Sequence, residues 1–324
     1  MAQATVHLPP RNSFKVLEEN FLSFFKPKPI PMHLVRVGGN RDGAYLVPED
    51  FTGVDACFSP GVATYKSFED ELANTWRIRS HMVDFSARIE DFQTPLIHGM
   101  QTFSAVWLRR QTSVDSISLG DWILNSEPHA TGDFLLQMDI EGGEYEVIES
   151  SPPELLDRFR ILVIEFHQVR TEIISRREQA PIFKVVEKLS PRFVVAHIHP
   201  NNCEGLKSLP GGRALIPEVM EVTFIREDRI AERLLRVSGR NPRIPHPLDI
   251  DRNALHRRPV FLDSSWSSTS AFVLSIPRRI YENFRFFVNV KVEVWTRKLR
   301  RKLTGVIDYF YLRLGLKGLK EKRS

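Results

Sequence analysis

The chain has 324 residues, of which 42% are hydrophobic and 26% are charged, a balance typical of a globular protein and not of a disordered or collagen-like chain. Cys57 and Cys203 are the only cysteines, which excludes a disulfide scaffold and a thiolate metal site and favours a reducing, cytoplasmic compartment. Because residues 1–30 contain Lys15, Glu18, Glu19 and several prolines instead of a continuous apolar run, and no later uncharged apolar run reaches 18 residues, the sequence predicts neither secretion nor a membrane span.

The net charge of +5 is unevenly distributed along the chain. Residues 278–324 carry 14 Lys or Arg against 4 Asp or Glu, an excess of +10, so the remaining residues together carry −5. A mildly acidic body with a basic C-terminal segment indicates that any contact with a polyanion involves that segment.

The N-terminal residues, 1–33, are predicted to form a helical appendage. Apolar residues recur at helical spacing over residues 13–25 behind Ser13, a candidate N-cap, and three prolines between positions 27 and 31 then end the helix. Two short extended runs, Leu34–Val37 and Ala44–Val47, follow and flank a glycine-rich turn.

The body, residues 34–262, alternates short apolar runs with helical patterns, which predicts a mostly parallel sheet with helices on both faces. The predicted strands are Ala56–Phe58, Met82–Phe85, Phe134–Ile140, Ile161–Phe166, Phe193–Ile198 and Val219–Ile225, and the predicted helices are Phe68–Trp76, Glu144–Ile148 and Ile182–Leu189. A loop without a helical pattern joins the last two strands, so we expect them to be antiparallel. A Pro- and Arg-rich strap over residues 241–262 and a Ser-rich linker over residues 263–277 follow.

The end of the first strand of the body carries a candidate cofactor loop. The strand enters a turn at Gly61, and the next strand ends at Asp84, where a carboxylate can accept hydrogen bonds from both ribose hydroxyls of an adenosine cofactor. The sequence has no GxGxxG pattern, which weighs against a pyrophosphate cofactor and fits S-adenosylmethionine, a cofactor without phosphate. The alternative for Asp84 is an ordinary surface carboxylate.

The strongest signal is the segment LLQMDIEGGEYEVI, in which Asp139, Glu141 and Glu144 follow a buried strand. Because ligands bind outside the carboxyl ends of parallel strands, Asp139 and Glu141 are expected where the chemistry occurs. Glu144 is expected to interact with the dipole at the N-terminus of the next helix. The following strand, ILVIEF, delivers His167 to the same rim.

A further polar group, HIHPNN, ends the strand after that and contains His199 and Asn202. His197 and His199 share one face of the strand by the period of two, a spacing compatible with metal binding. One such pair without a carboxylate partner is usually a hydrogen-bonded rim, so we expect no metal site.

Together these segments resemble the FkbM-like S-adenosylmethionine-dependent methyltransferases. The resemblance rests on LLQMDIEGGEYEVI, ILVIEFH and HIHPNN, preceded by VRVGGNRDGAYLV and CFSPGVATYKSFEDELA, and it extends from about Leu34 to Pro259. It implies a class I, Rossmann-like methyltransferase fold of seven strands and an O-methyltransferase acting on a sugar, glycan or other hydroxylated metabolite. The family has a more glycine-rich first loop where this chain has Ser59 and Pro60.

The resemblance also implies roles for individual residues. The cofactor-binding group is Gly61, Asp84, Asp139 and Glu141. The acceptor side comprises His167, His199 and Asn202. A hydroxyl acceptor must lose its proton, and we favour His167 over Asp139 as the catalytic base because the unperturbed pKa of imidazole is nearer to neutral pH. The alternative for His167 is a hydrogen bond to a loop.

Two other functions compete with this one. A catalytically weak adaptor that works through its basic C-terminal segment stays open because Ser59 and Pro60 replace the glycine-rich loop. Nucleic-acid methylation ranks lowest, because the body is acidic and lacks the aromatic-proline tetrad of amino-methylating enzymes.

The C-terminal segment, residues 278–324, carries an apolar stripe at helical spacing opposite a surface rich in Lys and Arg. The stripe consists of Trp295, Leu299, Leu303, Val306, Phe310 and Leu314. Packing on the body, binding to nucleic acid and attachment to an anionic membrane all fit this pattern. The Ser-rich linker and the dense positive charge favour reversible attachment to the inner face of a membrane, which would make the protein cytoplasmic and peripheral.

Overall fold

The computed structural model describes residues 11–230, 242–250 and 253–267, together with Ile280 and Asn283. The chain divides into two units, Met1–Ile276 and Pro277–Ser324, and the described residues belong almost entirely to the first. The predicted basic helix of residues 278–324 therefore lies outside the described residues. Within the described part of the chain, no helix combines the length and the hydrophobicity needed to cross a membrane.

Helices and short strands alternate along the first unit. The helices are α1 Arg11–Phe25, α2 Ser67–Glu71, α3 Leu119–Ser126, α4 Glu144–Ser150, α5 Pro153–Leu156, α6 Val169–Arg176 and α7 Pro181–Leu189. The strands are β1 Leu34–Val37, β2 Tyr45–Pro48, β3 Val54–Pro60, β4 Arg79–Val83, β5 Gln101–Ser104, β6 Trp107–Leu108, β7 Ser116–Ile117, β8 Asp133–Met138, β9 Phe159–Phe166, β10 Phe193–Pro200, β11 Leu206–Ser208, β12 Leu215–Pro217 and β13 Met220–Arg226. Helix α1 begins at Arg11, so Ser13 lies inside the helix and the prediction that it is the N-cap is wrong.

Seven strands of the described residues form one sheet in the order β10-β13-β9-β8-β3-β4-β5. Every neighbouring pair from β9 to β5 is parallel, and β13 is antiparallel to both β9 and β10. The mostly parallel sheet and its antiparallel last pair are confirmed. This mixed α/β arrangement is consistent with a Rossmann-like methyltransferase fold.

The chain reverses direction across the sheet between β3 and β8. It passes from β3 outward to β4 and β5, and then returns to continue on the other side of β3 with β8 and β9. In open α/β sheets a crevice opens at such a reversal, outside the carboxyl ends of the two strands. The candidate site is therefore expected at the ends of β3 and β8.

Helix α1 packs against the sheet through its aromatic face. Phe21 and Phe25 are buried, and the Phe25 ring lies 6.0 Å from the ring of Phe166 in β9 and 6.4 Å from that of Phe224 in β13. Burying each such side chain contributes about 1.5–3 kcal/mol relative to exposure.

The residues after the strap also pack on the body. Trp266 is fully buried, and its Nε1 donates a hydrogen bond to the carbonyl oxygen of Leu215, while the side chain of Asp263 accepts one from the Leu215 backbone N–H. Asp263 to Ser267 belong to the predicted Ser-rich linker. Within this stretch the buried indole contacts β12, which pairs with β11 in a separate two-stranded sheet.

Candidate active site

The turns after β3 and β8 touch each other through their main chains. Gly61 has a φ of +86°, and a Cβ atom placed on it would lie 1.6 Å from the carbonyl oxygen of Asp139. The Asp139 N–H donates a hydrogen bond of 3.2 Å to the carbonyl oxygen of Pro60. Only glycine fits position 61, so the two turns form a preformed crevice of the kind predicted for the cofactor loop.

Asp84, after β4, joins the cofactor loop to the next strand end. Its Oδ2 accepts a hydrogen bond of 2.8 Å from the Ala63 N–H, and its Oδ1 accepts bonds from the N–H and Oγ of Ser86. The residue is 8% exposed. Asp84 is therefore a buried part of the loop, and the alternative of an ordinary surface carboxylate is wrong.

A cavity of about 490 Å³ lies between these turns, the loop that joins β1 to β2, and the strap. Its lining residues are Asn40, Arg41, Asp42, Gly43, Tyr45, Gly61, Val62, Ala63, Tyr65, Glu69, Gln137, Asp139, Asn253 and Leu255. Arg41 is the one basic residue of this described lining, against the carboxyl groups of Asp42, Glu69 and Asp139. The cavity therefore favours ligands that carry positive charge or hydroxyl groups over phosphorylated ones.

The floor of the cavity is a buried polar network that the sequence analysis missed. The Ser59 Oγ contacts a carboxyl oxygen of Glu69 and the amide oxygen of Gln137, and the Gln137 amide nitrogen donates to the Tyr45 hydroxyl at 3.2 Å. Burial raises the pKa of Glu69 to about 7, against the opposing effect of the Ser59 hydrogen bond. Ser59 thus contacts two side chains that line the cavity, those of Glu69 and Gln137.

Asp139 is the rim carboxylate that reaches the cavity. Its Oδ1 is buried and accepts no hydrogen bond from the described residues. Burial raises the pKa of Asp139 to about 7; the neighbouring His167 opposes the shift, and the Glu144 carboxylate adds to it. A carboxylate with a pKa near neutral is suited to accept a proton at physiological pH.

His167, after β9, lies behind Asp139 and is absent from the described lining of the cavity. Its Nε2 is 3.7 Å from the Asp139 Oδ1 and 3.4 Å from a carboxyl oxygen of Glu141. His167 therefore does not border the cavity directly, and its role as the catalytic base stays a prediction. Glu141 is also outside the cavity lining, and its side chain is 86% exposed.

Glu144, the first residue of α4, is completely buried and turns back onto the preceding loop. Its two carboxyl oxygens accept hydrogen bonds from the N–H groups of Ile140 and Gly142, and one of them lies 3.2 Å from the Nδ1 of His167. The sequence analysis assigns Glu144 to the helix dipole alone. The structure adds a direct contact with the imidazole.

Ligand atoms of Asp139, Glu144 and His167 lie within 4.8 Å of one another, close enough to surround a metal ion. Both oxygens of Glu144 are already occupied by backbone N–H groups, which reduces its capacity to coordinate a cation. The expectation that the site needs no metal stays a prediction, and it now concerns this group rather than His197 and His199.

His199 and Asn202 hold the strap rather than lining the cavity. The His199 Nε2 lies 3.2 Å from the amide oxygen of Asn253, and the Asn202 side chain donates to the carbonyl oxygen of Ala254 and accepts from its N–H. His197 forms a contact of 2.8 Å with Asp249. His199 and Asn202 thus contact the strap, and the strap residue Asn253 lines the cavity.

A crevice at a reversal of strand order, on a mostly parallel sheet of seven strands, is the arrangement of Rossmann-like α/β enzymes. Residues 77–190 match the family model described as Methyltransferase FkbM domain. This match confirms the resemblance to the FkbM-like methyltransferases and supports a methyltransferase. The matched segment includes Asp84, Asp139 and His167, whereas Gly61 and the strap lie outside it. A comparison with curated proteins finds no match.

Proposed function

We propose that this chain is an S-adenosylmethionine-dependent O-methyltransferase whose acceptor is a sugar, glycan or other hydroxylated metabolite. One observation carries the proposal: Asp139 lines the cavity at the reversal of strand order, the place where ligands bind in open α/β sheets. A carboxylate at this place can accept a hydrogen bond from a ligand hydroxyl and then its proton.

The residues around the crevice fit this cofactor. Asp84 lies outside the described lining of the cavity and uses three of its about four lone-pair positions within the loop, so it can accept at most one further hydrogen bond, from a single ribose hydroxyl rather than from both. Asp42, Glu69 and Asp139 line the cavity with carboxyl groups beside the Gly61 turn. S-adenosylmethionine supplies a methyl group on a positively charged sulfonium, which is a good leaving group.

The protein contributes positioning and proton transfer. Orienting the hydroxyl toward the methyl group is worth up to about 7–11 kcal/mol in favourable cases. Asp139 contacts the cavity and accepts the hydroxyl proton as the oxygen attacks, a contribution of roughly 10²–10⁴ in rate. His167 contacts the Asp139 carboxyl group on the side away from the cavity.

Calorimetry with S-adenosylmethionine tests the cofactor. Wild type should bind it, and cofactor at 100 times its dissociation constant should stabilise the fold by about 2.7 kcal/mol, visible as a higher melting temperature. Asp84→Ala should lose most of the shift, whereas Asp91→Ala, at an exposed carboxylate, should keep it. Absence of binding by wild type at millimolar cofactor would replace this proposal with the adaptor function.

Mass spectrometry tests the acceptor. The cavity wall contributed by Asn40, Asp42 and Asn253 offers amide and carboxylate groups that can pair with hydroxyls. Metabolites and glycans from cells with and without the gene should differ by a methyl group on an oxygen. A mass difference on nitrogen or carbon would contradict the proposed reaction.

A further inference from the structure

The imidazole of His167 lies between the buried carboxylate of Glu144 and the carboxylates of Asp139 and Glu141. Its Nδ1 faces the buried Glu144, and its Nε2 faces Asp139 and Glu141. Glu165 of β9 is the remaining carboxylate near Nε2, at 3.9 Å. The His167 side chain is 11% exposed, so its protonation is controlled by these neighbours more than by bulk water.

Glu144 determines which nitrogen of His167 carries the proton. The Glu144 carboxyl oxygens accept hydrogen bonds from two backbone N–H groups, and the oxygen nearest the imidazole can accept a further one from the His167 Nδ1. A proton on the His167 Nδ1 satisfies this contact and leaves the Nε2 lone pair toward Asp139 and Glu141. Glu144 is thus a positioning residue.

Asp139 needs a route by which to lose the proton that it gains. Cofactor and acceptor together would fill the cavity on one side of its carboxyl group, and the Oδ1 atom is buried. On the other side the His167 Nε2 lies 3.7 Å from the Oδ1 atom, a gap that a side-chain movement of about 1 Å closes to hydrogen-bonding distance. The Glu141 carboxyl oxygen, 3.4 Å from the same nitrogen, belongs to a side chain that is almost fully exposed.

We propose that His167 and Glu141 carry the acceptor proton from Asp139 to solvent, with Glu144 holding His167 in the required tautomer. This inference rests on the proposed function. The acceptor O–H bond breaks as its oxygen bonds to the methyl carbon, and the proton passes to Asp139. It then moves to the His167 Nε2, giving an imidazolium, and from there to Glu141, which releases it to water. Each turnover releases one proton, and all four side chains return to their starting states.

The electrostatics of the site support this route. Burial alone would lower the pKa of His167, but the hydrogen bond to Glu144 and the charges of Glu144, Asp139 and Glu141 outweigh burial and raise it. Burial raises the pKa of Asp139 to about 7. Proton exchange between two groups that titrate in adjoining ranges has a small free-energy cost in either direction.

Initial rates of Glu141→Gln test the exit step. The assay uses S-adenosylmethionine and the unmethylated acceptor identified by mass spectrometry. In dilute buffer we expect a fall of about tenfold in turnover with an unchanged KM, because the proton leaves slowly, and recovery of turnover in concentrated imidazole buffer. Glu90→Gln, another exposed carboxylate, should match wild type in both buffers.

Histidine-labelled NMR of the full chain tests the tautomer without turnover. The wild-type signal of His167, assigned by its loss in His167→Gln, should show a proton on Nδ1 and a pKa above the ordinary 6.5. Glu144→Gln should lower that pKa and populate the Nε2–H form. Because Glu144 is buried, Glu141→Gln serves as the second variant if Glu144→Gln fails to fold, and it should also lower the pKa.

Three results would overturn the proton route: Glu141→Gln equal to wild type in dilute buffer, an Nε2–H tautomer in wild type, or activity that chelators abolish and a divalent cation restores. The last result would reassign the group to metal binding. Calorimetry with S-adenosylmethionine distinguishes failure of the proton route from failure of the proposed methyltransferase function. Cofactor binding with any of these results rejects only the route, whereas no binding rejects the methyltransferase itself.

Discussion

The carboxyl ends of the sheet strands form one rim, and the part of this rim over β3 and β8 differs in construction from the part over β10. Over β3 and β8 the turns meet through their main chains at Gly61, and Asp139 reaches the cavity directly. Over β10 the side chains of His199 and Asn202 are bonded to the strap, and a strap residue, Asn253, reaches the cavity in their place. A polar residue at a strand end thus identifies the edge of the sheet where ligands are expected. Whether that residue contacts a ligand depends on whether another segment, here the strap, lies over it.

A substitution at Gly61, in the part of the rim over β3 and β8, should have the largest effect on stability and cofactor binding. A Cβ atom there would collide with the Asp139 carbonyl, so Gly61→Ala should destabilise the fold by at least about 2 kcal/mol and abolish cofactor binding. Gly39 has the same φ of +86°, with no atom within 4 Å of an added Cβ. Gly39→Ala should therefore show the backbone strain alone in denaturant unfolding. Equal losses for both variants would show that the contact between the turns is unimportant.

Asp139→Asn should stop turnover while leaving the fold intact, with a fall of roughly 10²–10⁴. Kinetics with the identified acceptor measure this change, and calorimetry should show cofactor binding close to that of wild type. If turnover stays near the wild-type value across pH 6–9, another group removes the proton.

The same substitution has a pH-dependent effect on stability. The pKa of Asp139 rises from 3.8 to about 7 on folding, so the folded state retains a proton that the unfolded state loses, and stability falls as the pH rises from about 4 to 7. Asp139→Asn removes this cost and should stabilise the protein by about 1–4 kcal/mol at pH 8, with little effect at pH 4. Unfolding at the two pH values measures the difference. Asp91→Asn is the matched control, and a stability gain that is the same at both values would contradict the assignment.

Weakening the strap should affect only the part of the rim over β10. Asn202→Ala removes two hydrogen bonds to Ala254 and should cost about 1–3 kcal/mol. Acceptor KM should rise, while cofactor affinity stays unchanged, because the strap borders the cavity opposite the Gly61 turn. Asn74→Ala, at an exposed position, is the control. A parallel loss of cofactor affinity would show that the two parts of the rim are coupled.

The C-terminal segment should have the smallest effect on the rim. We propose that residues 278–324 attach the protein reversibly to an anionic membrane, each basic group near the surface adding about 1 kcal/mol. Sedimentation with vesicles should require anionic lipid, weaken with salt, and be lost on deletion of residues 278–324, with cofactor binding retained. Equal sedimentation of the truncated protein would contradict this attachment.

The sheet and the cofactor turn could be predicted because they depend on local patterns. Apolar runs ending in Gly61, Asp84 and Asp139 place these residues at one edge, since parallel strands align their carboxyl ends. Strand β5 was missed because only one of its four residues is buried, which leaves a weak apolar signal. Seven strands were expected only from the family resemblance.

The contacts of the remaining site residues could not be predicted because their partners are distant or depend on loop geometry. Asn202 bonds a strap residue 52 positions away. Glu144 reaches His167 only because Gly142 adopts a φ of +103°, which folds the loop back over the carboxylate. No periodicity in the sequence encodes either contact.

The strap separates two properties of the protein that can change independently. Asn253 and Leu255 border the cavity but belong to no strand or helix, and their segment is bonded to the body by side chains that include those of His197, His199, Asn202 and Glu221. Substitutions between residues 253 and 258 can therefore alter the shape of one cavity wall without disturbing the strands that carry Gly61 and Asp84. Related proteins could inherit one cofactor crevice and diverge in acceptor preference through this short stretch, which makes it the first place to randomise when a new acceptor is sought.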